Sequence, residues 1–561
     1  MARDEAVLSS FGYRQELRRA LGLFSLYAVA FSVISITTGI TLNYGFAIGN
    51  FGPAGIWTWL VVGAGQLMVA LIIAELGTRM PLAGCAYQWT ARLLHSGYGW
   101  FVGFIGVGAA AIAVAGITLL ATAPFAATLL GWNTNNPRLI LLLAYVLVLL
   151  PVVINIISVR LAAGINNMAV LTEILGMVGF GVALFLAWAT REHSRGIHRS
   201  LSYLTHTGTV TPPWYGFALA GLIGIFTIIG FEFAANAAEE AKNARLTVPR
   251  AVILSVVTAA LLGFIALVGF TIALPDAHAP DPISTVAFWF GTFWTKVFLV
   301  LVITSIFALT VVVTGAAARV VYAMARDNML PFSPTLRKVN CQTRTPVIAM
   351  AVVLLVTAAF VQYGYLAGGS ASGAFGALIG ATSIIAYTTY LMIVISYAVR
   401  RKQLDAVPGQ FSLGRWAQPV IVIALGWVLV ALGVLTLPQV FRKADYVSGA
   451  VIALAALWYV AALRGRLARG EAGTDLITDE VDRPCESSSP WVGLPTRVPT
   501  RAVRPAAVTC GSHCRPAPHR TASADRQARS GTEEGRGPWQ SCSSAGVLLV
   551  AYFVFGRRRQ P

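Results

Sequence analysis

The sequence predicts an all-α, polytopic membrane protein with twelve transmembrane helices. Of the 561 residues, 57% are hydrophobic and only 11% are charged, whereas a soluble globular protein carries about 25% charged residues. Apolar runs of about 20 residues recur, each long enough to cross a hydrocarbon core of about 30 Å, and the alternating pattern of a β-barrel is absent. The predicted spans are 23–48, 54–77, 98–130, 138–158, 165–189, 215–238, 250–274, 287–323, 347–366, 374–398, 416–438 and 446–463.

The basic residues predict the orientation of these spans. Most arginines and lysines before residue 464 fall in loops on the same side as the N-terminus, and this excess is typical of the cytoplasmic side. The loop 190–214, with three arginines, fits the rule least well. We therefore expect a multi-pass protein of the plasma (inner) membrane with both termini in the cytoplasm. The same bias explains most of the net charge of +18, so no nucleic-acid partner is expected.

The chain divides by composition into three parts. Residues 1–20 are predicted to be a cytoplasmic segment without a cleavable signal, because the first apolar run is too long for a signal core. Residues 21–463 hold the spans. Residues 464–561 are rich in Arg, Pro, Ser and Gly without helical or strand periodicity, which predicts a disordered, basic cytoplasmic tail. The spacing of Cys510, His513 and Cys514 in this tail matches no recognised zinc pattern, so neither a metal nor a cofactor is expected.

Several functional classes lose support from the sequence. The chain has no Gly-Lys dipeptide and therefore no Walker A loop for ATP. Most of its histidines lie in or near loops rather than in pairs suited to haem. A secondary transporter, a channel or a nutrient sensor built on a transporter scaffold remains.

Two predicted spans carry interruptions at matching positions. Span 1 contains ISITTGITLNYG, with a Thr37-Thr38-Gly39 step, and span 6 contains FTIIGFEF, broken at Gly230. The two are five spans apart, as expected if spans 1–5 and 6–10 are inverted repeats. Half-helix N-termini suit a carboxylate and half-helix C-termini suit an amine, so the pair of breaks favours a small zwitterion. The alternative for each glycine is helix–helix packing.

Four motifs in order resemble the amino acid–polyamine–organocation superfamily of permeases over most of residues 20–460. These are TTGIT at 37–41, AELGTRMPLAGCAYQW at 74–89, GFEFAANAAEEAKNARLTVPRAV at 230–252 and ARVVYAMARDNMLP at 318–331. The start of span 1 and the FGPAG segment favour the amino acid/choline branch. The chain departs from the family motifs at Thr37, Cys85 and Ala244, which stand where relatives often have Gly, Gly and Pro.

The resemblance implies a LeuT-like 5+5 fold and a transporter rather than an enzyme. Repeat one would cover 21–190, repeat two 215–400, and residues 416–463 would form peripheral helices. In the implied substrate site, backbone N–H groups of Thr38, Gly39 and Ile40 bind a carboxylate, and backbone carbonyls of Ile229, Gly230 and Phe231 bind an amine. Phe226 is the expected aromatic gate. Thr37, Thr227 and the wall residue Tyr387 complete the predicted site. Tyr390, Thr304 and Ser305 are further wall residues, and the small residues from Gly106 to Gly116 leave room for a bulky or long substrate.

Two acidic residues lie far from the ends of predicted spans. A charged side chain at mid-membrane costs roughly 2.5–3.5 kcal/mol on insertion scales, so it usually faces a cavity or a partner. We expect Glu232 either to titrate as a proton-coupling residue or to brace the break by accepting its free N–H groups. Glu173 is expected to take a proton or a cation, or to hydrogen-bond a neighbouring helix.

Further acids lie near the cytoplasmic ends of the spans. We expect Glu239 and Glu240 to form a salt-bridge cluster with nearby basic residues, including Arg245, and to gate the inner side. Glu75 with Arg79 and Arg326 with Asp327 are expected to act in the same way.

The sequence therefore predicts a secondary active transporter that imports an amino acid or similar zwitterion through the lipid bilayer, coupled to a proton, with a sodium ion as the other candidate coupling ion. The alternatives are an amino-acid exchanger, a carrier of GABA, choline or polyamines, and a sensor that does not transport. A channel is disfavoured because spans 3 and 8 offer no continuous polar pore.

Overall fold

The computed structural model describes residues 8–9, 11–13, 17, 19–191, 195–197, 199–208, 210–276, 279–340, 342–366, 371–404 and 410–474, with the side chains of 371–376 excluded. Apart from one isolated bridge between Leu21 and Ala241, the secondary structure of this part of the chain is helical. Its α-helices are α1 Leu23–Ile34, α2 Ile36–Phe51, α3 Thr58–Arg79, α4 Cys85–Leu93, α5 Ser96–Ile117, α6 Ala123–Leu130, α7 Pro137–Ile157, α8 Val159–Arg191, α9 Pro213–Ala220, α10 Leu222–Thr227, α11 Phe233–Asn236, α12 Ala244–Ile272, α13 Pro282–Arg326, α14 Ser333–Leu336, α15 Val347–Leu366, α16 Ala371–Arg400, α17 Ala417–Thr436, α18 Arg442–Trp458 and α19 Arg464–Ala468.

Eleven helical segments of the described residues are long and apolar enough to cross a membrane. The protein is therefore a multi-pass membrane protein. The predicted sixth span is not among the eleven, because it is interrupted: α10 ends at Thr227, and α11 begins at Phe233. Gly230 lies in this interruption with φ 85°, a conformation that favours glycine.

The first span is broken as well, but earlier than the sequence suggested. Ser35 separates α1 from α2 with φ 40° and ψ 81°, so Thr37, Thr38 and Gly39 lie inside the first turn of α2 rather than at the break. The Ser35 hydroxyl accepts the Thr38 N–H at 3.3 Å, and serine is a favoured residue at a helix N-terminus for this reason. The hydroxyl at Ser35, not the glycine, determines where α2 begins.

The long helices pack so that the two interrupted spans lie inside the bundle. Helix α12 packs against α1, α3 and α8, while α16 packs against α5, α17 and α18. Helices α7, α8 and α17 expose large apolar side chains such as Leu142, Leu175 and Val422. A water-soluble protein rarely exposes so much apolar surface, so these helices form the face of the bundle that contacts lipid.

The beginning of the predicted disordered tail is ordered, which corrects the prediction for residues 464–474. The last span continues as helix to Ala468, and the residues after it bind the loop that follows α13. Asn328 donates to the Glu471 carbonyl at 2.6 Å, the Gly473 N–H donates to the Asp327 carbonyl at 3.0 Å, and the Thr474 N–H donates to Ser96 at 3.2 Å. Backbone hydrogen bonds that do not depend on apolar periodicity order this segment, which we name the C-terminal strap (470–474). Residues 475–561, with Cys510, His513 and Cys514, lie outside the described residues.

Shortening the chain tests the contribution of the strap. Ending the chain after Arg469 removes the strap hydrogen bonds, each worth about 0.5–1.5 kcal/mol, and we expect a melting temperature several degrees lower than that of the full chain in detergent. Ending it after Thr474 retains those bonds and is expected to leave the melting temperature unchanged. Equal melting temperatures for the two truncations would show that the strap adds no stability.

Candidate substrate site

A cavity with a volume of about 120 Å³ lies between the two interrupted spans. Span 1 contributes Thr38 and Gly39 to its wall, and span 6 contributes residues on both sides of Gly230. Most of the remaining wall is apolar. Helix α5 supplies small residues from the predicted stretch, Gly106, Ala109, Ala110 and Ala113, and also Gly103, which lies before that stretch. The small side chains on α5 make this space wide enough for an organic substrate.

Half of the predicted substrate residues line this cavity: Thr38, Gly39, Phe226, Ile229 and Gly230. The others lie behind its wall: Thr37, Ile40, Thr227, Phe231 and Tyr387. The predicted wall residues Thr304, Ser305 and Tyr390 do not line it either. The structure thus brings the two interrupted segments to one chamber but excludes several side chains that sequence spacing had grouped with them.

The two interrupted spans touch directly at Gly39. A Cβ atom at this position would collide with the Thr227 side chain, with the Thr227 Cβ only 2.5 Å away. Glycine therefore allows α2 and α10 to approach closely enough to share the cavity wall.

Glu173 of α8 braces the beginning of α2. Its Oε1 atom accepts the Thr37 N–H at 3.0 Å and the Ser35 hydroxyl at 3.1 Å, and Ser35 also contacts Ser305 at 3.1 Å. A carboxylate is favourable at this position because the N-terminus of a helix carries partial positive charge. Glu173 is buried but does not line the cavity.

Two of the three N–H groups expected to receive a substrate carboxylate are already paired within the chain. Thr38 donates to the Ser35 hydroxyl, and Gly39 donates to the Ser35 carbonyl at 3.0 Å. The neighbouring Thr37 N–H donates to Glu173. A substrate carboxylate at α2 would therefore have to displace these acceptors or share their donors.

Tyr390 of α16 holds the second interruption together. Its hydroxyl accepts the Gly230 N–H at 2.8 Å and donates to Glu232 Oε2 at 2.7 Å, and its ring stacks on Phe231 with centroids 5.3 Å apart. Glu232, which lines the cavity, therefore contacts the unwound backbone through a tyrosine. The sequence predicted an acid at this break but not this intermediary.

Gln66 of α3 is a site residue that the sequence analysis missed. Its amide donates to the Ile228 carbonyl at 2.7 Å and to the Tyr387 hydroxyl at 2.8 Å, so it occupies a carbonyl at the end of α10. The available signal was a polar amide in the middle of an apolar span, since buried polar side chains in membranes usually have a partner.

We expect Tyr390→Phe to lower transport about tenfold. The change removes the hydroxyl that pairs both Gly230 and Glu232, and a buried polar group without a partner costs about 1–3 kcal/mol. Initial rates of substrate uptake into proteoliposomes measure the effect. Tyr145→Phe is the matched control, because its hydroxyl bonds to Gln362 away from the cavity; an equal loss in both variants would contradict a specific role for Tyr390.

Two buried ion pairs lie at the end of the bundle where α13 terminates. Arg319 contacts Glu240 at 2.6 Å and 3.2 Å, and Arg326 contacts Glu239 at 3.3 Å. Glu239 also accepts the Ala83 N–H at 3.0 Å, so the pairs join span 6, α13 and the loop before α4. The predicted cluster around Glu239 and Glu240 therefore includes Arg326.

Arg245, which was predicted to join the cluster, lies in the first turn of α12. The separately predicted pair of Glu75 with Arg79 forms, with its charged atoms 3.2 Å apart. Glu75 additionally accepts the Tyr397 hydroxyl at 2.7 Å, which connects α3 to α16.

Arg326 does not pair with Asp327 as predicted, because successive residues on a helix point in different directions. The Asp327 carboxylate instead accepts hydrogen bonds from Tyr87 at 2.5 Å, Tyr13 at 2.8 Å and Gln88 at 2.9 Å. The Arg326 guanidinium lies 3.6 Å from the centre of the Tyr13 ring.

Burial raises the pKa values of Asp327 and Tyr13. The pKa of the Asp327 carboxyl lies above its usual value, and the pKa of Tyr13 is raised to about 12. Tyr13 therefore stays protonated near neutral pH and remains a donor to Asp327.

Comparison with known proteins agrees with this arrangement. Residues 21–461 match the family described as amino acid permease. An amino-acid permease of Schizosaccharomyces pombe is 28% identical to this chain, and the match covers 82% of this chain and 85% of the relative. The amino-acid permease BAT1 of Arabidopsis thaliana is 25% identical, and the match covers 80% of this chain and 92% of BAT1. The thiamine transporter thi9 of S. pombe is 25% identical, and the match covers 78% of this chain and 81% of thi9.

The family match covers both interrupted spans, the cavity between them and the ion pairs at the end of α13. A chamber of this kind inside a membrane bundle, together with the family match, indicates a transporter of small molecules rather than an enzyme. The chain belongs to the amino acid permease family.

Proposed function

We propose that this permease imports an amino acid or a related zwitterion across the plasma (inner) membrane by alternating access, with a proton as the coupling ion. The single observation that carries the proposal is one chamber bounded by two interrupted spans, which lie five spans apart in the sequence. In this proposal the spans number twelve, counting the interrupted sixth, and form a LeuT-like pair of inverted repeats with both termini in the cytoplasm.

Backbone groups at the interruptions supply the recognition of a zwitterion. The first turn of α2 places a helix N-terminus beside the cavity at Thr38 and Gly39, where a substrate carboxylate would take over N–H groups that Ser35 now accepts. The end of α10 presents the carbonyl side of a helix near Ile229 and Gly230, which favours an amine. Phe226, one turn earlier, covers the bound substrate.

Glu232 is the residue that we assign to proton coupling. Its side chain borders the substrate chamber, and through Tyr390 it is connected to the Gly230 N–H. A proton gained or lost at Glu232 would therefore change the hydrogen bonds that hold the interruption. Glu173 braces α2 from outside the chamber, and we assign it a second coupling role, for a proton or a sodium ion, at the start of α2.

Glu232→Gln should abolish the dependence of uptake on a pH gradient. The amide keeps the shape of the carboxyl group but binds no proton in the working pH range. Labelled amino acids, GABA, choline and polyamines are tested in proteoliposomes with and without an imposed gradient. We expect gradient-stimulated uptake of at least one compound by the unmodified protein, and equal uptake with and without a gradient by the variant.

Glu471→Gln is the matched control, because Glu471 is an exposed acid of the C-terminal strap that pairs with Arg469 at 2.6 Å. It should retain full gradient dependence. Retained dependence in Glu232→Gln would remove Glu232 from the coupling mechanism.

The same proteoliposomes distinguish the remaining functions. An exchanger takes up label only when substrate is preloaded inside. A sensor binds ligand without flux. A sodium-coupled carrier responds to a sodium gradient but not to a pH gradient.

A further inference from the structure

The lining of the cavity includes two polar side chains that each carry a buried oxygen without a hydrogen-bond partner among the described residues. Asn236 on α11 and Thr389 on α16 both line the cavity, with exposed fractions of only 5% and 8%. Among the residues that the structure describes, no donor or acceptor pairs with Asn236 Oδ1 or Thr389 Oγ1. An unpaired buried oxygen is costly, so such atoms usually have a function or a missing partner.

The neighbouring threonines on α16 show that Thr389 is exceptional. Thr382 donates to the Leu378 carbonyl at 3.0 Å, and Thr388 donates to the Ile384 carbonyl at 2.7 Å. This bond to the preceding turn is the usual arrangement for a helical threonine. The Thr389 hydroxyl does not make it, which leaves the oxygen available to a ligand.

The surrounding wall indicates what kind of ligand would pair with these atoms. Glu232 is the one charged residue among the described residues that line the cavity, and it lies one helical turn before Asn236. The opposite wall is formed by small apolar residues of α5 such as Gly106 and Ala110. Unpaired acceptor oxygens and a carboxylate on the wall of an otherwise apolar chamber suit a primary ammonium group that follows a chain of methylene groups.

We propose that Asn236 and Thr389 form a distal subsite that binds the terminal ammonium group of a substrate with an unbranched aliphatic chain. The subsite rests on the proposed function, because it defines the substrate class of the same chamber. It would select amino acids or amines with a second, terminal nitrogen over analogues that end in a methyl group.

Two pairs of probes test the subsite: lysine with norleucine, and putrescine with butylamine. The members of each pair share a four-carbon chain and differ by one terminal ammonium group. Affinities are measured by ligand-induced shifts in melting temperature of the purified full chain. We expect the unmodified protein to bind at least one ammonium-bearing probe about tenfold or more tightly than its partner, as one hydrogen bond to a charged group allows.

Variants of the two residues should change this preference rather than binding in general. Asn236→Leu and Thr389→Val are each expected to bring the affinity ratio close to one while the methyl-ended probe binds as before, which also shows that the variants fold. Asn236→Asp keeps an acceptor, adds negative charge and should raise the ratio. Thr388→Val is the matched control and should leave the ratio unchanged.

Equal affinity within both pairs for the unmodified protein, or an unchanged ratio in both Asn236→Leu and Thr389→Val, would overturn the subsite. Transport of another zwitterion without binding of any of the four probes would remove the subsite and leave the proposed function standing. Absence of both binding and transport across the whole panel would defeat both.

Discussion

Gly39→Ala is expected to lower transport on the order of 100-fold. The added methyl group would overlap the Thr227 side chain at the place where the two interrupted spans touch. Forcing extra atoms into a packed contact costs about 1–3 kcal/mol, and here the displacement falls on the backbone that borders the substrate chamber. Initial uptake rates in proteoliposomes, normalised to the amount of folded protein, measure the loss.

Two further variants separate this effect from a general effect on α2. Gly49→Ala lies on the same helix, and its Cβ would meet no atom within 4 Å, so its transport should equal that of the unmodified protein. Combining Gly39→Ala with Thr227→Gly removes the colliding side chain and should recover part of the lost rate. A normal rate in Gly39→Ala, or loss in Gly49→Ala, would show that the close approach of the spans is not needed.

Arg319→Ala should destabilise the protein by about 3–5 kcal/mol, because removing one partner leaves an uncompensated buried charge. Only 3% of the Glu240 side chain is exposed, and its contact with Arg319 is 2.6 Å long. Glu240 also contributes its backbone carbonyl to Ala20 and Leu21 at 2.9 Å and 3.0 Å, so the loss would loosen the chain before α1. Thermal unfolding in detergent measures the change.

An exposed ion pair of the same length provides the control. Arg469 and Glu471 are also 2.6 Å apart, but their side chains are 60% and 49% exposed. Water and salt screen such a pair, so Arg469→Ala should leave the melting temperature almost unchanged. Equal losses in the two variants would show that burial does not control the strength of these pairs.

Hydropathy was sufficient to locate the eleven long apolar segments of the described residues, and unusual residues indicated which two spans are interrupted. Gly230 was identified because glycine in an apolar span before an acid is unusual, and the structure gives it the positive φ that favours glycine. The interruption in span 1 was placed two residues late. The residue that ends α1 is Ser35, whose hydroxyl caps α2, and a serine inside an apolar run gives only a weak local signal.

The partners of the intramembrane acids could not be predicted from the sequence. Glu232 pairs with Tyr390, which is 158 residues away, and Glu173 pairs with Thr37, which is 136 residues away. Gln66 reaches Ile228 across a similar distance in the chain. Local patterns identify a buried polar group, but its partner depends on which helices pack together.

The sequence by itself determined that the chain crosses a membrane repeatedly, because a helix must cover its backbone with about 20 apolar residues to enter lipid. It also determined which two spans depart from that pattern. Only the tertiary structure decided that both interruptions open into one chamber, that a tyrosine joins Glu232 to the unwound backbone, and that Arg326 faces Glu239 instead of Asp327. Such contacts join residues far apart in the chain, and they depend on the angles at which the helices pack. Hydropathy depends only on neighbours in the sequence and therefore cannot predict these contacts.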